Sequence, residues 1–94
     1  MLKLCQLEFM PREMSPTDLR AALAGQIRLF RSKKGLSQEE LAFRAGLHRT
    51  YISLVERAKK SPTIDCLIRI SAALDVKVSD LLAKAEKCTN GQGR

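Results

Sequence analysis

Nine basic side chains lie between positions 28 and 60 of this 94-residue chain: Arg28, Arg31, Lys33, Lys34, Arg44, Arg49, Arg57, Lys59 and Lys60. Only Glu39, Glu40 and Glu56 oppose them there, so nearly all of the molecule's formal charge of +7 sits in about a third of its length. Ammonium and guanidinium groups bond phosphate oxygens, and an arginine fork can also reach both acceptors on a guanine edge. The chemistry this composition favours is association with a polyanion, nucleic acid ahead of an anionic membrane surface. The plainer alternative is a solvated basic surface with no partner.

Other chemistries are poorly supplied. His48 is the one histidine, with no neighbouring nucleophile, and it reads as a residue at a helix start. Cys5, Cys66 and Cys88 are scattered without a Cys-x-x-Cys pair, whereas a structural zinc needs about four closely spaced ligands. No metal, no cofactor and no enzyme activity are expected. An odd, scattered cysteine set fits a reducing compartment, with Cys66 as a small core residue. No apolar run approaches the roughly 20 residues of a membrane span. The opening stretch, Met1 to Met10, is interrupted by Glu8 and followed by no small-residue cleavage site. A cytoplasmic protein is therefore expected.

The basic block needs a scaffold, and helical periodicity supplies one. Residues 1–15 read as an irregular arm. Ser15 then caps a first helix with Pro16 in its first turn and Leu19, Leu23, Ile27 and Phe30 along one face, stopped by Gly35. Ser37-Gln38-Glu39-Glu40 forms a capping box ahead of Leu41, Ala42 and Ala45, and Gly46 ends that second helix. A third runs from about Arg49 to Arg57. Lys59-Lys60-Ser61-Pro62 forms a basic loop. Thr63 caps a fourth through Ile64, Leu67, Ile68, Ser71 and Leu74, broken at Asp75. Ser79 caps a last short helix bearing Leu81, Leu82 and Ala85. Residues 86–94, with Asn90-Gly91 and Gly93, read as a flexible tail. Five helices without a strand make an all-α domain over residues 16–85.

Within it the second and third helices form a unit with steric logic. Counting Gln38 as position one, Leu41 is fourth, Ala42 fifth, Gly46 ninth, Ile52 fifteenth and Val55 eighteenth. Ala42 must be small where the next helix crosses, Gly46 can take a left-handed turn, and Ile52 and Val55 fill the angle between the helices. That is the pattern of a helix-turn-helix. At about 100° per residue, Arg49, Thr50, Ser53 and Arg57 share a polar face, while Tyr51, Ile52 and Val55 fall opposite. Leu54 sits between the two. Arg49 is the best candidate to read a base, with capping or solvation of the helix start as its alternative. Thr50 is a second reader. Tyr51 and Ser53 suit phosphate contacts or plain surface and core roles, and Arg57 shares the polar face. Lys59, Lys60 and Ser61 suit phosphates or solvent. Gln38 sits at a helix start whose free amides favour phosphate.

The runs Gly35-Leu36-Ser37-Gln38-Glu39-Glu40-Leu41-Ala42, Ala45-Gly46-Leu47, Tyr51-Ile52-Ser53 and Val55-Glu56-Arg57 resemble the Cro/cI-type (XRE-like) helix-turn-helix family, over about residues 20 to 83. Gly46 to Ser53 further resembles the controller proteins of restriction–modification systems. The resemblance implies a five-helix, lambda-repressor-like fold that binds double-stranded operator DNA as a homodimer and reads bases with the third helix. It implies that Gln38 touches the DNA backbone and braces the reading helix, and that Arg31 and Glu56 form a buried salt bridge. Val76, Val78, Leu81 and Leu82 are candidates for the dimer seam. With no ligand domain in view, no small-molecule effector is expected. An antitoxin-like repressor that chiefly holds a partner protein is the alternative. An architectural or RNA-binding protein acting by charge alone would leave the five-position pattern unexplained.

Overall fold

The computed structural model describes residues 15–92, so the arm expected at 1–15 lies, Ser15 apart, outside the described residues. Five helices follow one another: α1 Pro16–Lys33, α2 Gln38–Ala45, α3 Arg49–Glu56, α4 Ile64–Ala73 and α5 Val78–Gln92. No strand occurs among the described residues. The fold is the all-α class that the periodicity indicates.

Short polar residues start the helices by satisfying amides that have no partner inside the helix. Ser15 accepts from the Asp18 amide at 3.1 Å, with Pro16 opening the first turn. Ser37 accepts from the Glu40 amide at 3.0 Å while the Glu40 carboxylate accepts from the Ser37 amide at 2.8 Å, which closes the capping box. Thr63 accepts from the Cys66 amide at 3.1 Å. Left-handed residues then stop the helices. Gly35 and Gly46 have φ of 72° and 71°, and beyond Gly46 the Leu47 amide returns to the Ala42 carbonyl at 2.9 Å. Ala58 and Asp75 adopt φ of 59° despite carrying side chains, a conformation that costs about 1 kcal/mol or more.

None of these short helices is stable alone; burial holds them together. Each gives one fully enclosed side chain to a shared core: Ile27, Leu41, Ile52, Ile70 and Leu81, all 0% exposed. Each such burial is worth roughly 1.5–3 kcal/mol. α5 packs along α1, and α2 lies against both α3 and α4.

The helices depart from the sequence reading in three places. On α4, Ile70 rather than Ile64 or Ile68 enters the core; the latter two face outward, because the buried stripe runs through Leu67, Ile70 and Leu74. α5 begins at Val78, with the Lys77 carbonyl accepting from the Leu81 amide at 3.0 Å, so Ser79 lies inside the first turn rather than capping it. α5 also continues to Gln92, through positions expected to be a flexible tail. Its contact with α1, where Gln26 Nε2 lies 3.4 Å from Cys88 Sγ, supports helix beyond Ala85.

Gly46 sets the angle between α2 and α3, and a Cβ there would come within 3.2 Å of Arg69 Nη1 as well as straining φ. Gly46→Ala is expected to lose about 1 kcal/mol of stability, whereas Ala58→Gly should lose nothing or gain up to about 0.5 kcal/mol. Urea midpoints compared at equal m-values check both signs.

Candidate nucleic-acid interface

The exposed face of α3 is set by what its other face must do. Ile52 and Val55, 0% and 2% exposed, are driven into the core, and the helical period then turns Arg49, Thr50 and Arg57 outward. Ser53 and Leu54 lie half-buried at the edges. His48 is the N-cap of α3 with no side-chain cap bond, and Arg49 follows at the exposed leading end. After α3 the chain passes through the exposed Lys59, Lys60 and Ser61 to the cap of α4. Arg49, Thr50, Arg57, Lys59, Lys60 and Ser61 are therefore all exposed on α3 and the loop that follows it.

The rear of α3 is locked by charge. Glu56 is 1% exposed, so its carboxylate requires compensation inside the protein. Arg31 donates from Nε to Oε2 at 2.7 Å and from Nη2 to Oε1 at 3.0 Å, a two-pronged pair. Gln38 Nε2 donates to the same Oε1 at 3.0 Å. Arg31 Nη1 also reaches the Leu36 carbonyl at 2.8 Å. Arg28 donates to the Glu56 backbone carbonyl at the C-terminal end of α3. One buried carboxylate thus ties α3 to α1 and to the start of α2. The expected Arg31–Glu56 bridge is present, and Gln38 does brace α3. In the sequence Arg28 is one more cation of the basic block; its structural bond has no local sequence signal, because its partner is a backbone carbonyl 28 residues away.

The outward charge is accordingly narrower than the sequence count. Arg28 and Arg31 are committed to Glu56, Lys34 pairs with Asp75 at 2.7 Å, and Lys33 lies 5.8 Å from the Phe30 ring centroid. Arg49, Arg57, Lys59 and Lys60 remain exposed around α3 and its following loop, with Arg44 exposed on α2.

Tyr51 takes a double role. Its ring packs half-buried against the core, and its hydroxyl accepts from the Thr63 amide at 3.4 Å, linking α3 to the α4 cap. Burial, and then the neighbouring Cys66 thiol, push the phenol up from its ordinary range, so it keeps its proton and can donate. Cys66 is not a core residue. It sits half-buried on the first turn of α4, where the Thr63 side chain first and the Tyr51 hydroxyl second lower its thiol below the usual range. Of the seam candidates, Leu81 is fully enclosed in the core, while Val76, Val78 and Leu82 are half-buried against it. Leu81 therefore cannot line an exposed seam.

A helix-turn-helix family model (HTH_3) matches residues 27–81, which contain the whole α2–α3 unit and its brace. The chain belongs to the helix-turn-helix family of transcriptional regulators. The Cro/cI-type resemblance carried by residues 35–57 falls inside that match. A hypothetical transcription factor of Neisseria meningitidis serogroup B is 51% identical over 65 residues, covering 69% of this chain and 61% of that protein; the aligned region thus spans about three fifths of that relative's length. The control protein C.SmaI of Serratia marcescens is 42% identical over 76 residues, covering 81% of this chain and 89% of its own. Among solved structures, the restriction-modification controller protein C.AhdI of Aeromonas hydrophila superposes with a TM-score of 0.64 at 35% identity, covering 66% of this chain and 94% of that one. Among the described residues no helix is long and apolar enough to cross a membrane.

The brace and the exposed face should separate by mutation. Glu56→Ala leaves the Arg31 guanidinium facing a buried void and is expected to lose about 3–5 kcal/mol. Thr50→Ala, on the exposed face, should stay within about 0.5 kcal/mol of the parent. Equilibrium denaturation followed by helix content distinguishes the two.

Proposed function

We propose that this protein is a sequence-specific regulator of transcription that binds a roughly palindromic operator as a homodimer, in the manner of a restriction–modification controller. The observation that carries this reading is α3 itself: a helix with an exposed polar face, an apolar back fixed in the core, and a buried ionic clamp at its end. Such a helix can enter a major groove without changing shape, so little ordering cost opposes binding.

Arg49 and Thr50 are the base readers, Arg49 through its fork on a guanine and Thr50 through a base edge or a thymine methyl. Gln38, Tyr51, Ser53, Arg57, Lys59, Lys60 and Ser61 hold phosphates, which set register and carry no sequence information. Gln38 serves from the start of α2 while its amide nitrogen braces Glu56. Two copies place their α3 helices in successive major grooves, about 34 Å apart along the DNA. Occupancy of the operator near a promoter is then the regulatory act, governed by protein concentration rather than by a small-molecule effector, and no chemistry is catalysed. The cytoplasm is where this activity belongs. The likeness to C.SmaI and C.AhdI supports the controller role over an antitoxin-like one.

Selection from randomised duplexes, followed by titration at near-physiological salt, tests the reading. A two-fold symmetric site preferred over a scrambled duplex by about a thousandfold or more is expected; failure to enrich any site overturns it. On the selected site, Arg49→Ala should lose about 1–3 kcal/mol and relax discrimination at one base pair. Lys60→Ala should weaken all duplexes alike and reduce the salt dependence by about one counterion. Indistinguishable behaviour of the two variants would remove the division between readers and positioners.

A further inference from the structure

We propose that the open groove between α1 and α5 is a docking site for an acidic segment of another protein, one that carries a leucine or aromatic anchor between carboxylates. The inference goes beyond the operator reading and does not depend on it.

α1 gives the groove its floor, Leu29 and Phe30, and α5 forms the far wall with Lys84 and Lys87. Leu29 is 46% exposed and Phe30 half-buried, so apolar surface remains in contact with water there. Lys33 stands on the α1 side, 5.8 Å from the Phe30 ring centroid, and Gln26 Nε2 meets Cys88 Sγ at 3.4 Å at one end. Between Gln26 and Lys33, α1 rises about 10 Å, roughly two helical turns. The groove holds about 310 Å³, near the lower end of the ~300–1,000 Å³ of ligand pockets, and it lies open along its outer side. It suits a large apolar side chain delivered from another surface better than a whole small molecule.

Charge identifies the occupant. Lys33, Lys84 and Lys87 ring the apolar floor, and among the described residues no carboxylate lines the groove. A segment that seats an apolar side chain there must set its neighbouring residues against those lysines, so acids are favoured and bases repelled. Lysine stems can lie along the seated side chain while their ammonium groups reach the flanking carboxylates. A second copy is a poor occupant, because each copy carries a formal +7. The chain's own residues 1–14 set Lys3 and Arg12 against Glu8 and Glu13, so their side chains bring no net negative charge. Nor does the groove belong to the nucleic-acid interface. Arg28 and Arg31 reach from α1 to Glu56 on α3, and at about 100° per residue Gln26, Leu29 and Lys33 lie about 160° around α1 from them. An occupant can therefore sit there while α3 holds a duplex.

The test is a selection of displayed short random peptides on the full chain, followed by titration of the enriched peptides, with helix content recorded for every variant. Enriched peptides are expected to place Leu, Phe or Trp between Asp or Glu residues and to bind more weakly as salt rises. Leu29→Glu, at an exposed position, should raise their dissociation constant by about 30-fold, and the triple reversal K33E/K84E/K87E by about tenfold or more. Peptides whose acids are exchanged for lysines should regain binding to that triple variant and not to the parent. K59E/K60E, in the loop after α3, should leave peptide binding within about threefold of the parent. No enrichment of acidic, apolar-anchored peptides would overturn the proposal. So would peptides that bind the parent, Leu29→Glu and K33E/K84E/K87E alike, or that duplex DNA displaces. Self-association of the parent that is lost in Leu29→Glu would overturn it as well and make the groove a contact between copies. Binding to phosphatidylglycerol vesicles that is lost in K33E/K84E/K87E, with no peptide enriched, would overturn it in favour of a membrane-facing patch.

Discussion

A carboxylate that is 1% exposed cannot remain charged unless the protein replaces the water it has lost. Glu56 imposes that requirement, and α3 is positioned by the way it is met. Arg31 arrives from α1 with two parallel hydrogen bonds and Gln38 arrives from α2 with a third. Neither Arg31 nor Glu56 can move away without leaving the buried carboxylate or its guanidinium partner uncompensated, and Gln38 adds a third directional bond, so the orientation of α3 relative to α1 and α2 follows from hydrogen-bond geometry as well as from packing. Apolar contacts alone allow helices to slide and re-pack at modest cost; a directional ionic contact does not.

The clamp works because every helix already begins and ends where it must. α2 and α3 have eight residues each, too few to hold a helical form in isolation. Their boundaries come from the Ser37 capping box, the left-handed Gly46 and the core residues Leu41, Ile52 and Val55. The outward turn of Arg49 and Thr50 on α3 is the outcome of these interior constraints. Tyr51 adds a link at the far side, joining α3 to the cap of α4 through the Thr63 amide.

Most of the fold and the centre of the site were legible in the sequence, because they depend on short-range rules. The caps at Ser15, Ser37 and Thr63, the glycine turns at 35 and 46, and the two-sided pattern of α3 are each specified within about a dozen residues. What escaped depends on contacts distant in sequence. The outward turn of Ile64 and Ile68 could not be separated from burial, since an apolar residue at helical spacing signals a face without saying what covers it. The extension of α5 past Ala85 is decided by its packing on α1, which overrides the local signal of Asn90-Gly91. Arg28 looked like one more free cation, and Cys66 like an ordinary core side chain. Their partners, the Glu56 carbonyl and the Tyr51 and Thr63 side chains, are neighbours only after folding. The Arg31–Glu56 pair was anticipated through family resemblance rather than through any spacing rule.

The distribution of work along α3 has an evolutionary consequence. Fold maintenance falls on Ile52, Val55 and Glu56, whereas Arg49, Thr50 and Arg57 make none of the core contacts. Substitutions at the exposed set can accumulate with little penalty in folding, because the residues that hold the helix in place are not the ones that change. A lineage built on this scaffold can therefore diverge in target preference while its architecture stays constant. Related regulators sharing one cell can in this way drift out of one another's sites, each keeping the same three-residue lock at 31, 38 and 56.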